Sequence, residues 1–221
     1  MENKIYPDSG VELTPFMAKH YDKLMNTGSF GLYSGFIKRA INDMNVQADD
    51  KILDLGCGTG RNTVLLASHL SKYGSITGLD VSEIMEKQFN QKFSGDKRIR
   101  FIRQRADIPF ELDEKFDKIL ISFVIHGFPH EIRKTVIKNV YNHLKPGGSF
   151  FILDFSEFNM AEMPALHRSI FKTIECKYAF DFIEKDWKQI LIENGFGNFK
   201  ETFYMKKYVR LLKAIKQIAT K

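Results

Sequence analysis

Cysteine is scarce in this chain: Cys57 and Cys176 are the two thiols among 221 residues. Two thiols build neither a disulfide framework nor a cysteine-rich metal site. No apolar run approaches the roughly 20 residues that a membrane-spanning helix needs. Met1-Glu2-Asn3-Lys4 leads into no signal-peptide core, so the chain is expected to be cytoplasmic with reduced thiols. No proline-rich linker, internal repeat or low-complexity stretch divides it. A single domain over 1–221 is expected, which suits one α/β core. Acid is lacking towards the end, where Lys206, Lys207, Arg210, Lys213, Lys216 and Lys221 follow one another without a carboxylate. The net charge of +6 is not accompanied by a nucleic-acid-binding module, so no nucleic-acid partner is expected.

Glycine, by contrast, is concentrated where it matters. Ile52-Leu53-Asp54-Leu55 reads as a buried strand that runs into Gly56-Cys57-Gly58-Thr59-Gly60. Ile76-Thr77-Gly78-Leu79-Asp80 then reads as a second strand ending in an acid. A glycine turn after a first strand lets backbone approach a ligand closely, and an acid after the second can accept from ribose hydroxyls. The spacing is not that of the dinucleotide fingerprint G-x-G-x-x-G. Asp54 would repel a pyrophosphate but suits a ligand with a cationic amino group. S-adenosyl-L-methionine carries such a group, a ribose and no phosphate. The pattern resembles motif I of the class I S-adenosylmethionine-dependent methyltransferases.

Alternating strands and helices from residue 51 argue a parallel sheet covered on both faces. Strands are expected at Lys51–Leu55, Ser75–Asp80, Ile99–Gln104, Phe116–Phe123 and Ser149–Phe155. Helices are expected at Asn62–Leu70, from an N-cap at Ser82 to Phe93, at Glu131–Leu144 and at Asp186–Asn194. Lys145-Pro146-Gly147-Gly148 reads as a helix stop. Phe16–Leu24 and Leu32–Ile41 look helical, within an N-terminal lid over 1–45. The core spans 46–155, an aromatic-rich insertion 156–185, and a last helix with a strand pair 186–221. The tail admits two readings. Leu211, Leu212, Ile215 and Ile218 have the spacing of a basic amphipathic helix. Asn198–Met205 and Tyr208–Lys216 read as two strands about Lys206-Lys207, and the strand pair is favoured.

The chain as a whole resembles the C-methyltransferases of ubiquinone and menaquinone biosynthesis. The resemblance lies in Tyr21-Asp22-Lys23-Leu24-Met25-Asn26 with Ser29-Phe30-Gly31, in Leu144–Gly148 with Leu153-Asp154-Phe155-Ser156, and in Gly195-Phe196 through Leu212. It implies a seven-stranded sheet of order 3-2-1-4-5-7-6 with strand seven antiparallel, N-terminal helices and a helical insertion after strand five. The tail cations would then be mostly solvated outer positions. For the cofactor, S-adenosyl-L-methionine, it implies Asp54, Gly56, Gly58 and Gly60 at the methionine end, with Cys57 as a small residue inside the turn. Asp80 would meet the ribose, with Val81 beside it. Asp107 would lie near the adenine amino group and Ile108 against the ring. Ser122 and Phe123 would line the methyl-donor side.

His126 and Tyr21 are the expected catalytic residues. The family carries an Arg-Asn pair where this chain has His126-Gly127, and Tyr33 replaces a common histidine. A histidine past strand four can act as a base when neutral or steady a phenolate when protonated. His130 is expected to be a helix-start surface residue. Phe16, Phe30 and Phe36, with Phe158, Phe171, Tyr178, Phe180 and Phe182 in the insertion, suggest a small hydrophobic or aromatic substrate. A lipid-linked one would require peripheral membrane contact.

Strand four lacks an Asn-Pro-Pro-Tyr-type ending for amide or adenine nitrogen, no cysteine stands there to attack a pyrimidine, and no metal site is expected. The reading is methyl transfer to a small apolar acceptor, best a ring carbon of a reduced quinone precursor. N-, O- or S-methylation of another hydrophobic molecule or a phospholipid head group, and a non-catalytic cofactor-binding role, are the alternatives.

Overall fold

The computed structural model describes Tyr6, Ser9 and residues 32–218. Its centre is a seven-stranded sheet of order β3-β2-β1-β4-β5-β7-β6. The strands are β1 (Lys51–Leu55), β2 (Ser75–Asp80), β3 (Ile99–Arg103), β4 (Phe116–Ser122), β5 (Leu144–Phe155), β6 (Phe196–Tyr204) and β7 (Val209–Lys216). Strands β3 to β5 pair in parallel, and β7 runs antiparallel to both β5 and β6. The helices are α1 (Leu32–Asp43), α2 (Arg61–Ala67), α3 (Glu83–Lys92), α4 (His130–His143), α5 (Ala165–Ile174), α6 (Lys177–Ile183) and α7 (Trp187–Glu193).

Strand alternation sorts the core into two faces. Leu53, Leu55, Ile119, Ile121, Phe150 and Ile152 pack towards α4, α6 and α7. Ile52, Leu120, Phe151 and Leu153 pack on the other side with Phe36, Ile37 and Ile41 of α1 and Leu66 of α2. Central strands buried on both faces carry apolar residues at successive positions, which is why β4 reads as a continuous apolar run. Ser82 caps α3 by accepting from the Met85 N–H at 3.3 Å, and Asp186 caps α7 by accepting from the Gln189 N–H at 2.9 Å.

Two local expectations change. Lys145–Gly148 is not a stop outside the sheet. Leu144 already pairs with Phe116, and regular pairing resumes at Lys118 and Ser149, so the Pro-Gly-Gly segment is an irregularity within β5. Helix α2 also ends earlier than Leu70, at Ala67.

The tail forms the strand pair rather than an amphipathic helix. The cations of Tyr208–Lys216, however, are not mostly solvated, unlike Lys206 and Lys207 in the turn before them. Strand β7 lies between β5 and β6 and is largely buried. Arg210 is 3% exposed and donates to Glu201 at 2.6 Å and to Glu157 at 2.7 Å. Lys216 donates to the Tyr141 and Leu144 carbonyls at 2.6 and 3.0 Å. The turn between the two strands places Met205, Lys206 and Lys207 consecutively in the left-handed region, unusual for non-glycine residues. It is pinned by Ser156, whose N–H donates to the Tyr208 carbonyl at 3.1 Å and whose hydroxyl donates to the Lys207 carbonyl.

Candidate active site

The carboxyl ends of β1, β2 and β4 open onto one cavity, lined by residues that include Gly56, Asp80, Val81, Asp107, Val124 and Phe128. Gly56 has φ +76, and a Cβ there would lie 2.6 Å from Val124 Cγ2. The turn after β1 therefore presses directly on the turn after β4. Gly56→Ala should destabilise the fold by about 2 kcal/mol, from left-handed strain and the clash together, which chemical denaturation would read. Gly58 has φ +52, and apart from its chain neighbours none of the described residues comes within 4 Å of where a Cβ would stand.

Asp54 is 1% exposed, at the end of β1. One oxygen accepts from the Thr63 hydroxyl at 2.7 Å, and the other, Oδ1, has no hydrogen-bond partner among the described residues. Burial, opposed by Thr63 and reinforced by the nearby Asp80 charge, raises its pKa to about 6. An unpaired buried carboxylate oxygen is costly, and a cationic ligand group would relieve it. Asp80 accepts from the Gly58 N–H at 2.9 Å and the Ser82 N–H at 3.0 Å. Burial also raises its pKa.

Not every expected cofactor residue faces the cavity. Asp107 does, but its oxygens accept from Arg105 Nε at 3.0 Å and from the Tyr6 hydroxyl at 2.8 Å. Tyr6 itself lines the cavity and sets its ring edge-on to Phe128 at 5.8 Å. Ile108 is 42% exposed and stands outside the lining. Asp54, Cys57, Gly58, Gly60, Ser122 and Phe123 also stand outside it, Gly58 being joined to its wall through Asp80, which accepts from the Gly58 N–H. Phe123 is in the left-handed region at φ 52, and its ring meets Phe36 and Phe155, each at 6.2 Å. Val124 takes the cavity side instead. Tyr21, Phe16 and Phe30 lie outside the described residues.

Past β4, the short 3₁₀ turn Ile125–Gly127 carries His126. Its Nδ1 lies 2.8 Å from Asp154 Oδ1, at the end of β5, and its Nε2 lies 3.5 Å from Glu175 Oε2. A carboxylate only accepts, so Nδ1 carries the proton. Burial works against the imidazolium, but the Asp154 charge and hydrogen bond, with the Glu175 charge, outweigh it and raise the His126 pKa. Phe155 at 5.1 Å and Phe182 at 6.3 Å wall the ring. His130, at the start of α4, is half-buried, with Nδ1 unpartnered among the described residues and its pKa lowered by burial.

Sequence reading missed four residues here: Asp154, Glu175, Arg133 and Tyr6. Two gave a signal, since Asp154 is an acid closing an apolar strand and Arg133 a cation in the apolar stripe of α4. Arg133 is fully buried. It donates to the Ile125 and His126 carbonyls at 3.2 and 3.0 Å, to the Tyr178 carbonyl at 2.6 Å and to Asp181 at 2.7 Å. It thereby ties the His126 turn to the insertion. Arg133→Met would leave three carbonyls without this donor. A loss of about 3 kcal/mol is expected, visible as a lowered denaturation midpoint. From the same helix, Asn139 donates to the Ala106 and Ile108 carbonyls at 2.9 and 2.8 Å, holding the loop around Asp107.

The sequence pattern of the ubiE/COQ5 methyltransferase family matches residues 12–191. The chain belongs to that family. It is an S-adenosylmethionine-dependent methyltransferase. A demethylmenaquinone methyltransferase of Staphylococcus haemolyticus is 29% identical to it over 203 residues, covering 83% of this chain and 84% of the relative. That of Staphylococcus aureus strain JH9 is 31% identical over 174 residues, covering 78% and 71%. Among solved structures, a SAM-dependent methyltransferase from Aquifex aeolicus superposes with a TM-score of 0.59 at 16% identity, covering 81% of this methyltransferase and 89% of that chain. Magnesium protoporphyrin IX methyltransferase from Synechocystis PCC 6803, with bound SAH, gives 0.62 at 19% identity, covering 93% and 89%. These structures share the fold. Among the described residues no helix of the methyltransferase is long and apolar enough to cross a membrane.

Proposed function

We propose that this methyltransferase places a methyl group on a ring carbon of a reduced quinone precursor. The observation that carries the reading is the His126–Asp154 pair at the carboxyl edge of β4 and β5, walled by aromatic rings. The names of the staphylococcal relatives point the same way.

S-adenosylmethionine, when bound, supplies a methyl group already activated on a sulfonium. Asp54 would hold its amino group through the unpaired Oδ1. Asp80 would accept from the ribose hydroxyls, and Val81, Val124 and Phe128 would give the adenosine apolar walls. Gly56 makes room for Val124 and Gly60 for Phe89 and Phe93 to close on the turn, and Gly58 adds no side chain to it.

A phenolic ring carbon becomes strongly nucleophilic as its hydroxyl loses the proton. His126 Nε2 is the receiving atom in this reading. Its 3.5 Å separation from Glu175 is too long for a strong hydrogen bond, so an acceptor hydroxyl would bind Nε2 by displacing the Glu175 carboxylate. Asp154 fixes the tautomer and stabilises the imidazolium that forms, and Phe155 and Phe182 exclude water. As the methyl carbon bonds to the ring its bond to sulfur breaks. His126 then returns its proton to the ring oxygen and the ring C–H proton passes to bulk solvent, which restores aromaticity and the neutral imidazole.

The test is incubation with methyl-labelled S-adenosylmethionine and a reduced, ring-demethylated quinone. Label on the ring carbon is the expected result. Label on oxygen, or on a different molecule from a lipid extract, would discard the ring-carbon assignment.

A further inference from the structure

Helix α5, in the insertion, has an outer face on which none of the described residues packs. Leu166 is 70% exposed and Ile170, one turn on, 47% exposed. The inner face of the same helix carries Phe171, packed on Phe155 at 5.0 Å, which in turn meets the His126 ring. Glu175 caps the helix beside His126 Nε2. Next to α5 stands the β6–β7 turn, joined through His167 and Tyr208 with ring centroids 6.4 Å apart. That turn exposes Met205 (48%) between its lysines and Phe203 (45%).

Charge on this surface has one predominant sign. Residues 163–173 contain Arg168 and Lys172 and no acid, and residues 202–216 contain Lys206 and Lys207 and no acid. Glu162, which accepts from Asn159 at 3.1 Å, and Asp43, which accepts from the Tyr204 hydroxyl at 2.6 Å, are exposed acids at its edge. Exposed apolar side chains ringed by lysine and arginine match the interface of an anionic bilayer, where the apolar groups enter the acyl boundary and the cations meet head-group phosphates. A protein partner of ordinary surface composition offers no such concentration of negative charge.

We propose that Leu166, Ile170 and Met205, with Lys172, Lys206 and Lys207, dock this enzyme on an anionic lipid surface. The docked face is the outer side of the helix whose inner side covers His126. An apolar acceptor would then enter from the bilayer beneath α5. The entry route rests on the acceptor reading given above, but the docking does not.

The test is flotation of the full chain with phosphatidylglycerol-containing vesicles, against phosphatidylcholine vesicles, without acceptor or cofactor. Binding to the anionic vesicles that weakens with salt is expected. Leu166→Asp with Ile170→Asp should lower it at least about tenfold. Lys172→Glu and Lys207→Glu should each lower it about fivefold. Ile192→Asp, an exposed apolar site on α7, should leave it unchanged. Turnover of a short-chain, water-soluble acceptor should persist in the Leu166/Ile170 variant, separating docking from chemistry. No binding to either vesicle overturns the proposal, as does binding that the Leu166/Ile170 change leaves intact. Concentration-dependent self-association removed by that change, without vesicle binding, would assign the face to a second copy of the chain instead.

Discussion

His126→Ala is expected to lower turnover by about 10²–10⁴-fold, the usual contribution of a positioned general base, while cofactor affinity stays within about twofold of the unaltered enzyme by calorimetry. The split follows from geometry. His126 belongs to the turn after β4 and pairs with Asp154 and Glu175, not with Asp54 or Asp80, so its loss should leave the residues proposed to hold the methyl donor in place. A second readout separates chemistry from folding. With Asp154 and Glu175 beside it, His126 titrates above the ordinary 6.5. Turnover should therefore rise with pH along a limb centred above that value, as the imidazole becomes able to accept a proton. Asp154→Asn removes the carboxylate that raises the pKa, so the limb should move to lower pH and turnover should fall. If His126→Ala left turnover within about threefold, less than general-base catalysis ordinarily supplies, the assignment would be abandoned.

Asp54→Asn should weaken cofactor binding by about 10²-fold, the size of a lost charge-assisted hydrogen bond of roughly 3 kcal/mol. The pH dependence gives an independent check. In the free protein Asp54 takes up its proton at about pH 6, because burial disfavours the charged form. Binding an ammonium requires the ionised form. Below pH 6 affinity should fall about tenfold per pH unit, because protonation competes with the ligand, and above it affinity should level off. The same raised pKa means that ionising Asp54 costs the folded state stability as pH rises from the ordinary 3.8 towards 6, a cost a bound cation would offset. Isothermal calorimetry between pH 5 and 8 would read the slope. A flat profile, or an Asn variant of unchanged affinity, would remove Asp54 from the binding site.

The sheet was legible because its strands announce themselves locally. Apolar runs end in glycine or acid at the carboxyl edge, and the family resemblance supplied their order. The placement of Asp54, Gly56 and Asp80 at the ends of β1 and β2 was legible for the same reason, each being defined by its neighbours in sequence. What escaped depends on distant pairing. Arg210 reads as a surface cation until β6 covers β7 and brings Glu201 beside it. The start of β5 is hidden because Pro146 and Gly147 signal a turn, and only the Phe116–Leu144 pairing overrides them. His126 was visible as an oddity, but its partners come from the ends of β5 and α5, 28 and 49 residues further along. Tyr6 reaches Asp107 across 101 residues, which no local pattern encodes.

Helix α4 supports both halves of the site: Arg133 near its start grips the His126 turn, and Asn139 further along suspends the loop before Phe110. Six residues of α-helix separate them, about 9 Å of rise. The span is incompressible on the scale of a reacting bond, so in the proposed mechanism α4 would act as a gauge bar between the loop that meets the methyl donor and the turn that carries His126. A proline within it would not merely unfold a turn. It would put the two grips out of step with each other, and an enzyme that still bound both partners would hold them at the wrong separation.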